Sequence, residues 1–128
     1  MVPARPNERL RREQRLTRPG LFRETFEQGQ SHVGRYMVLW VRTAPDASLR
    51  LGVVTSRKVG GAVQRNRARR RLRTVWRLNR KTFAGTVDVV LVGRRALVRA
   101  PFAAVNEEFV RLARRAGLYA ASDVERTK

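Results

Sequence analysis

The sequence predicts a single α+β domain, and three observations carry that reading. Short runs rich in β-branched and aromatic residues alternate with longer segments whose apolar residues recur at helical spacing. No internal repeat divides the chain. Its 128 residues, 42% of them apolar, suit one packed core.

The elements follow in order. Residues 1–16 are rich in Pro and Arg without apolar periodicity, which predicts a flexible basic arm. Thr17 is placed to cap a short helix with Pro19 in its first turn, Leu21, Phe22, Thr25 and Phe26 on one stripe, and Gly29 at its end. The runs 36–42 and 49–56 read as strands around the turn-like 44–48, with His32–Val33 a further short strand before Gly34. From Val63 to Asn79, Ala68, Leu72, Val75 and Trp76 fall on one helical face. Residues 86–93 are apolar at nearly every position, as in an interior strand covered on both faces. Pro101 opens a last helix with Phe102, Val105, Phe109, Leu112 and Ala113 at helical spacing, closing near Gly117. The domain therefore spans 17–118, followed by a flexible tail at 119–128.

Charge points to the class of partner. Lys+Arg total 29 against 10 acids, a net charge of +19, and the lysines are only Lys58, Lys81 and Lys128. Such an excess opposes folding by self-repulsion unless a polyanion neutralises it, which favours nucleic acid over an anionic membrane. Arginine's planar fork suits phosphates and bases; a GC-rich genome would produce the same bias. No apolar stretch is long enough to span a membrane, the first residues lack the apolar core of a signal peptide, and there is no cysteine. A cytoplasmic protein is expected.

Residues 56–73, SRKVGGAVQRNRARRRLR, concentrate the charge. At 100° per residue Asn66, Arg69, Arg70, Arg73, Arg77 and Arg80 lie opposite the apolar face, so helix formation gathers them into one cationic strip. Residues 65–67 are expected in the first turn, where backbone N–H groups are free and arginines work against the macrodipole. An external anion at that site would explain the placement.

A protein nuclease needs clustered carboxylates for metal ions or a histidine pair for acid–base work. Here the acids Glu8, Glu13, Glu24, Glu27, Asp46, Asp88, Glu107, Glu108, Asp123 and Glu125 are scattered, and His32 is the only histidine. Asp88, alone in a predicted strand, reads as a turn, edge or ion-pair residue. Gly60–Gly61 lacks the P-loop pattern. No catalytic residue, metal ligand or cofactor site is assigned to the protein, and any catalysis is expected from its partner.

Thr17-Arg18, the pair Phe22 and Phe26, Val38-Leu39-Trp40 and above all the ungapped run at 56–73 resemble the protein subunit of bacterial ribonuclease P, over about residues 15–117. The resemblance implies a two-layer α–β sandwich in the order αβββαβα, with a four-stranded mixed sheet and a left-handed βαβ crossover, as in a ribosomal-protein domain; pattern alone suggests the commoner right hand. It also implies a role in removing the 5′ leader of precursor tRNA, in which a catalytic RNA subunit uses Mg²⁺ and no protein partner is required. Lys58, Arg65, Asn66, Arg67, Arg69, Arg70 and Arg73 are then the RNA-binding residues, and Phe22, Phe26 and Trp40 line a cleft for the leader. Trp40 stands where the family often has tyrosine, and Arg71 occupies a position usually apolar or neutral.

From periodicity alone, Phe22 and Phe26 at i, i+4 are core residues, because such aromatics ordinarily face inward. Rival functions are a ribosomal or other structural RNA-binding protein, which would share charge and fold, and a helix-turn-helix DNA binder, which would need a short helix where residues 52–56 read as strand.

Overall fold

The computed structural model describes residues 14–119. Its elements are α1 (Pro19–Gln28), β1 (Ser31–Val33), β2 (Met37–Thr43), β3 (Leu51–Thr55), α2 (Ala62–Asn79), β4 (Val87–Gly93) and α3 (Phe102–Arg115), with 3-10 turns at Arg57–Val59, Arg80–Thr82 and Arg95–Leu97. The order αβββαβα is the expected one. The strands form one mixed sheet in the order β1-β2-β4-β3, antiparallel at β1·β2 and β2·β4 and parallel at β3·β4, so α2 is the crossover between parallel neighbours.

Alternation along the strands decides what packs where. Met37, Leu39 and Val41 of β2, Val89 and Leu91 of β4 and Leu51 of β3 point to one face, where they meet Ala68, Leu72, Val75 and Trp76 of α2 and Val105, Phe109, Leu112 and Ala113 of α3. Rings close the end of this core: Trp76 lies 5.3 Å from Phe83 and 6.3 Å from Phe109, and Phe83 lies 5.2 Å from Tyr119. The other face of the sheet is covered only in part, by α1.

Several expectations shift. The cap of α1 is Arg18 rather than Thr17, and no side chain completes it; Gly29 ends the helix at φ 68°, its N–H donating to Phe26 O at 3.1 Å. Thr25 is buried on the stripe because its Oγ1 donates to Leu21 O at 2.7 Å, which satisfies the hydroxyl internally. Phe102 precedes the apolar stripe of α3 and stays 36% exposed, whereas Glu108 is buried on it. β4 is interior within the sheet, yet Val92 is only half-buried because α1 stops short of it. Arg15 and Leu16, assigned to the arm, dock on β3: Arg15 bridges Leu51, and Leu16 N–H donates to Leu51 O at 2.9 Å. Tyr119, assigned to the tail, bridges Phe83. The rest of the arm and of the tail lie outside the described residues.

Candidate nucleic-acid interface

Helix α2 begins at Ala62 after Gly61, and Arg65 N–H already closes its first turn on Gly61 O at 2.9 Å. The free amides of that turn therefore belong to residues 62–64, and Asn66 and Arg67 sit one turn later than their spacing suggested. Gly60, at φ 145° and with Gln64 side-chain atoms 2.9 to 3.5 Å from where a Cβ would stand, is the hinge that lets the chain turn from the Arg57–Val59 turn into α2.

The basic residues do reach the surface of α2, but in three rows. Asn66, Arg67 and Arg70 are exposed, as is Lys58 in the turn before the helix. Arg67 and Arg71 lean toward the segment that precedes α3, Arg67 Nε donating to Val98 O at 3.0 Å and Arg71 to Ala100 O. Arg71 is thus accommodated at the border of the buried face by a backbone carbonyl. Arg69 leans toward β3, donating to Thr55 Oγ1 at 2.9 Å and to Asn66 Oδ1, and Arg65 folds back on Gly60 O at 2.9 Å. These bonds hold the guanidiniums in place without neutralising them. Burial and the neighbouring guanidiniums of Arg67 and Arg70 push the Arg71 pKa below the usual arginine value. Beside the start of α2, Gly60, Gly61 and Gln64 face Arg95 and Arg99 across a cleft of about 440 Å³.

The aromatic residues meet on the opposite face of the sheet. Phe26 stands edge-on to Trp40 with ring centroids 5.1 Å apart, and Phe22 lies over Gly52, where a Cβ would be 2.6 Å from its Cε1 and Cζ. Phe26 is 37% exposed, and Phe22 and Trp40 are half-buried, so these rings are neither core nor free surface. Strand register sets what lies beside them. Trp40, Val90 and Gly52 form one row across β2, β4 and β3, roofed by α1; the next row, Val38, Val92 and Val54, is half-buried and continues to Val33, which is 61% exposed. The result is a cleft with an aromatic wall and a valine floor.

Sequence reasoning missed that floor and Gly52. A glycine inside a strand pattern signals close backbone approach, and period 2 already puts Val38 and Trp40 on one face.

Polar contacts fix α1 at the edge of the cleft. Gln28 exchanges two hydrogen bonds with the Thr43 backbone, at 2.9 and 2.8 Å, and Arg42 pairs with Glu24 at 3.1 Å. Arg42 is 3% exposed and also pairs with Asp46 at 2.8 Å and with Asp88 at 2.7 Å; Asp88, fully buried, takes Arg50 at 2.8 Å as well. Burial works against the Arg42 charge, but hydrogen bonds to Asp46, Asp88 and Glu24 outweigh it and hold the group more basic than usual. Burial likewise raises the cost of the Asp88 carboxylate, and the bonds from Arg50, the Ser48 and Arg50 backbone N–H groups and Arg42 overcome it, leaving its pKa below the usual carboxylate range. Glu108 accepts from Arg35 N–H and, at 2.9 Å, from Tyr36 N–H, which pins the β1–β2 hairpin to α3. His32, half-buried in β1, stands opposite Leu39. Among the described residues no three His, Asp or Glu side chains converge where they could hold a metal ion, and no helix is long and apolar enough to cross a membrane.

Comparison with known proteins follows the same lines. The family model described as Ribonuclease P matches residues 10–117. The ribonuclease P protein component of Chloroflexus aurantiacus is 40% identical over 110 residues, covering 85% of this chain and 82% of that protein, and the one from Syntrophomonas wolfei is 33% identical over 77% of this chain and 83% of that protein. The solved RNase P protein from Thermotoga maritima superposes with a TM-score of 0.70 at 31% identity, covering 79% of this chain and 96% of that one. The Staphylococcus aureus RNase P protein, at 19% identity, has the same fold, with a TM-score of 0.74 over 84% of this chain and 98% of that one. With family, relatives and fold in agreement, the chain belongs to the ribonuclease P protein family.

Proposed function

We propose that this chain is the protein half of a cytoplasmic ribonucleoprotein in which a catalytic RNA hydrolyses the phosphodiester that joins the 5′ leader to precursor tRNA. The observation that carries this reading is the division of the molecule into two unlike faces. The face of α2 offers guanidiniums held by neutral oxygens, with no carboxylate paired to them among the described residues. Folded RNA presents closely spaced phosphates, and Lys58, Arg65, Asn66, Arg67, Arg69, Arg70 and Arg73 are suited to bind them on the RNA subunit.

The cleft between α1 and the sheet has the opposite chemistry. A single-stranded leader has unstacked bases, and Phe22, Phe26 and Trp40 supply ring faces for them above an apolar floor. Mature tRNA lacks the leader and would leave this cleft empty. The protein adds binding and positioning; the Mg²⁺ ions of the reaction belong to the RNA subunit. Glu24 of α1 and Asp88 of β4 are engaged by Arg42 and Arg50 and so are suited to structure rather than to proton transfer.

The test is to add the purified protein to the cognate catalytic RNA at low Mg²⁺. Precursor-tRNA cleavage is expected to improve with the pair, and the protein alone is expected to cleave nothing. Cleavage by the protein alone that disappears on mutating a carboxylate, or copurification with ribosomal RNA in place of one smaller species, overturns the proposal.

A further inference from the structure

Arg15 belongs to the segment before α1 and is docked along the outer edge of β3, bridging Leu51. Successive side chains of an extended segment point to opposite faces of the sheet. Leu16 is buried on the α1 face, its Cβ 3.4 Å from where a Cβ on Gly52 would stand. Arg15 is therefore turned to the α2 face. There α2 returns along β3, with Arg69 tied to Thr55 at the far end of the strand and Arg73 one helical turn further toward Leu51. Three guanidiniums thus follow one edge in the order Arg69, Arg73, Arg15. None of them is in an ion pair with a carboxylate of the described residues. Burial, then the charges of Arg69 and Arg15, push the Arg73 pKa below its ordinary value, in keeping with three groups close enough to feel one another.

Like charges gathered along an edge cost free energy in the isolated protein, and a bound polyanion converts that cost into attraction. With Arg69 held at Thr55, Arg73 one turn along α2 and Arg15 carried by the segment paired to Leu51, the three residues follow one another along the edge, as suits a strand of linked anions better than one compact ion. We propose that Arg15, Arg69 and Arg73 form a rail that takes successive phosphodiesters of one RNA strand, making the segment before α1 part of the RNA-binding surface. The proposal rests on the functional reading above and adds a residue and a path to it. Because the rail borders both the cleft roofed by Phe22 and the face of α2, its phosphates come from the leader or from the RNA subunit.

The experiment uses the full chain and measures the salt dependence of affinity in two arms: the RNA subunit alone, and precursor tRNA with a leader added to the preformed protein–RNA complex. Arg15→Ala is compared with Arg115→Ala, which removes the same charge from the end of α3. Arg15→Ala is expected to lower the log–log salt slope by about 0.7–0.9 in one arm, beyond the change in Arg115→Ala. The arm that changes identifies the strand. Arg15→Lys should recover most of the slope, and Arg15→Ala should melt at or above the wild-type temperature because repulsion is relieved. Equal slopes for Arg15→Ala and Arg115→Ala in both arms overturn the rail, as does a lowered melting temperature that accounts for the weakened affinity. Binding by an Arg65→Ala, Arg70→Ala variant separates the two ideas. If that variant is weakened while Arg15→Ala is not, only the rail fails; if neither is weakened, the functional reading fails with it.

Discussion

The ring of Phe22 rests on the backbone of Gly52, so closely that a single added methyl group would stand 2.6 Å from two ring carbons. Strand β3 cannot move aside, because Leu51 and Val53 flank Gly52 in register with Val89 and Leu91 of the interior strand. The ring would have to tilt out. Gly52→Ala is therefore expected to cost about 1–3 kcal/mol of stability through overpacking and to weaken leader-bearing substrate more than mature tRNA; melting and paired affinity measurements check both.

Phe22→Ala removes the same ring without crowding the strand. A stacked base is worth about 1–3 kcal/mol on alanine substitution, against about 3–5 kcal/mol of stability for a fully buried phenylalanine. Since Phe22 is half-buried, the melting shift should fall short of the core value while affinity for leader-bearing substrate drops and affinity for mature tRNA holds. Equal weakening for both ligands with a large melting shift would return the ring to the core.

Arg65→Ala combined with Arg69→Ala removes two guanidiniums whose internal bonds, to Gly60 O and to Thr55 Oγ1, are single contacts to neutral oxygens and only part-buried. Stability should change little. The salt slope for binding the RNA subunit should fall by about 0.7–0.9 for each phosphate no longer neutralised, read from affinities at several salt concentrations.

Asp88 lies opposite Arg42 across β2 and β4 and also receives Arg50. Asp88→Ala leaves Arg42 buried with less compensation and should cost about 3–5 kcal/mol in a urea melt. The pH dependence follows from the sign of the shift. The folded Asp88 pKa is depressed, so its contribution is fully present above the unfolded value of about 3.9 and is lost as pH falls toward the folded value. Melting temperature should be flat near neutrality and drop below about pH 4, and that acid-induced drop should shrink in Asp88→Asn.

Glu108→Ala leaves the Arg35 and Tyr36 N–H groups without their acceptor. The expected destabilisation is about 1–3 kcal/mol for each amide left unsatisfied. Glu108→Gln keeps one oxygen acceptor and should be less affected, a ranking that thermal melts of the three proteins will give.

Much of the fold was legible because its signals are local and periodic. The face of α2 that holds Trp76 in register with Leu72, the glycine ending α1 and the β-branched runs each announce their element without reference to the rest. What escaped depends on pairing. Nothing in the sequence says that Val38, Val92 and Val54 form one row, since they come from three strands whose register only the sheet defines. Glu108 read only as one of the scattered acids because its partners, two backbone amides, lie over seventy residues away. Arg15 looked like part of an arm because its docking is made by backbone bonds to β3, which composition does not record.

Of the six acids among the described residues, Glu24, Asp46, Asp88 and Glu108 are drawn into internal pairs and backbone bonds. This pairing of negative charge inside an already cationic protein shapes the kinetics of recognition. With a net charge of +19, the long-range field of the molecule attracts RNA of any sequence, so encounters are rapid and unselective. Discrimination must then be made after arrival, in how long each RNA stays, because steering sets the association rate while fitted contacts set the dissociation rate. Unrelated RNA should accordingly slow capture of the cognate partner by occupying the protein briefly, and should leave the lifetime of the finished complex unchanged.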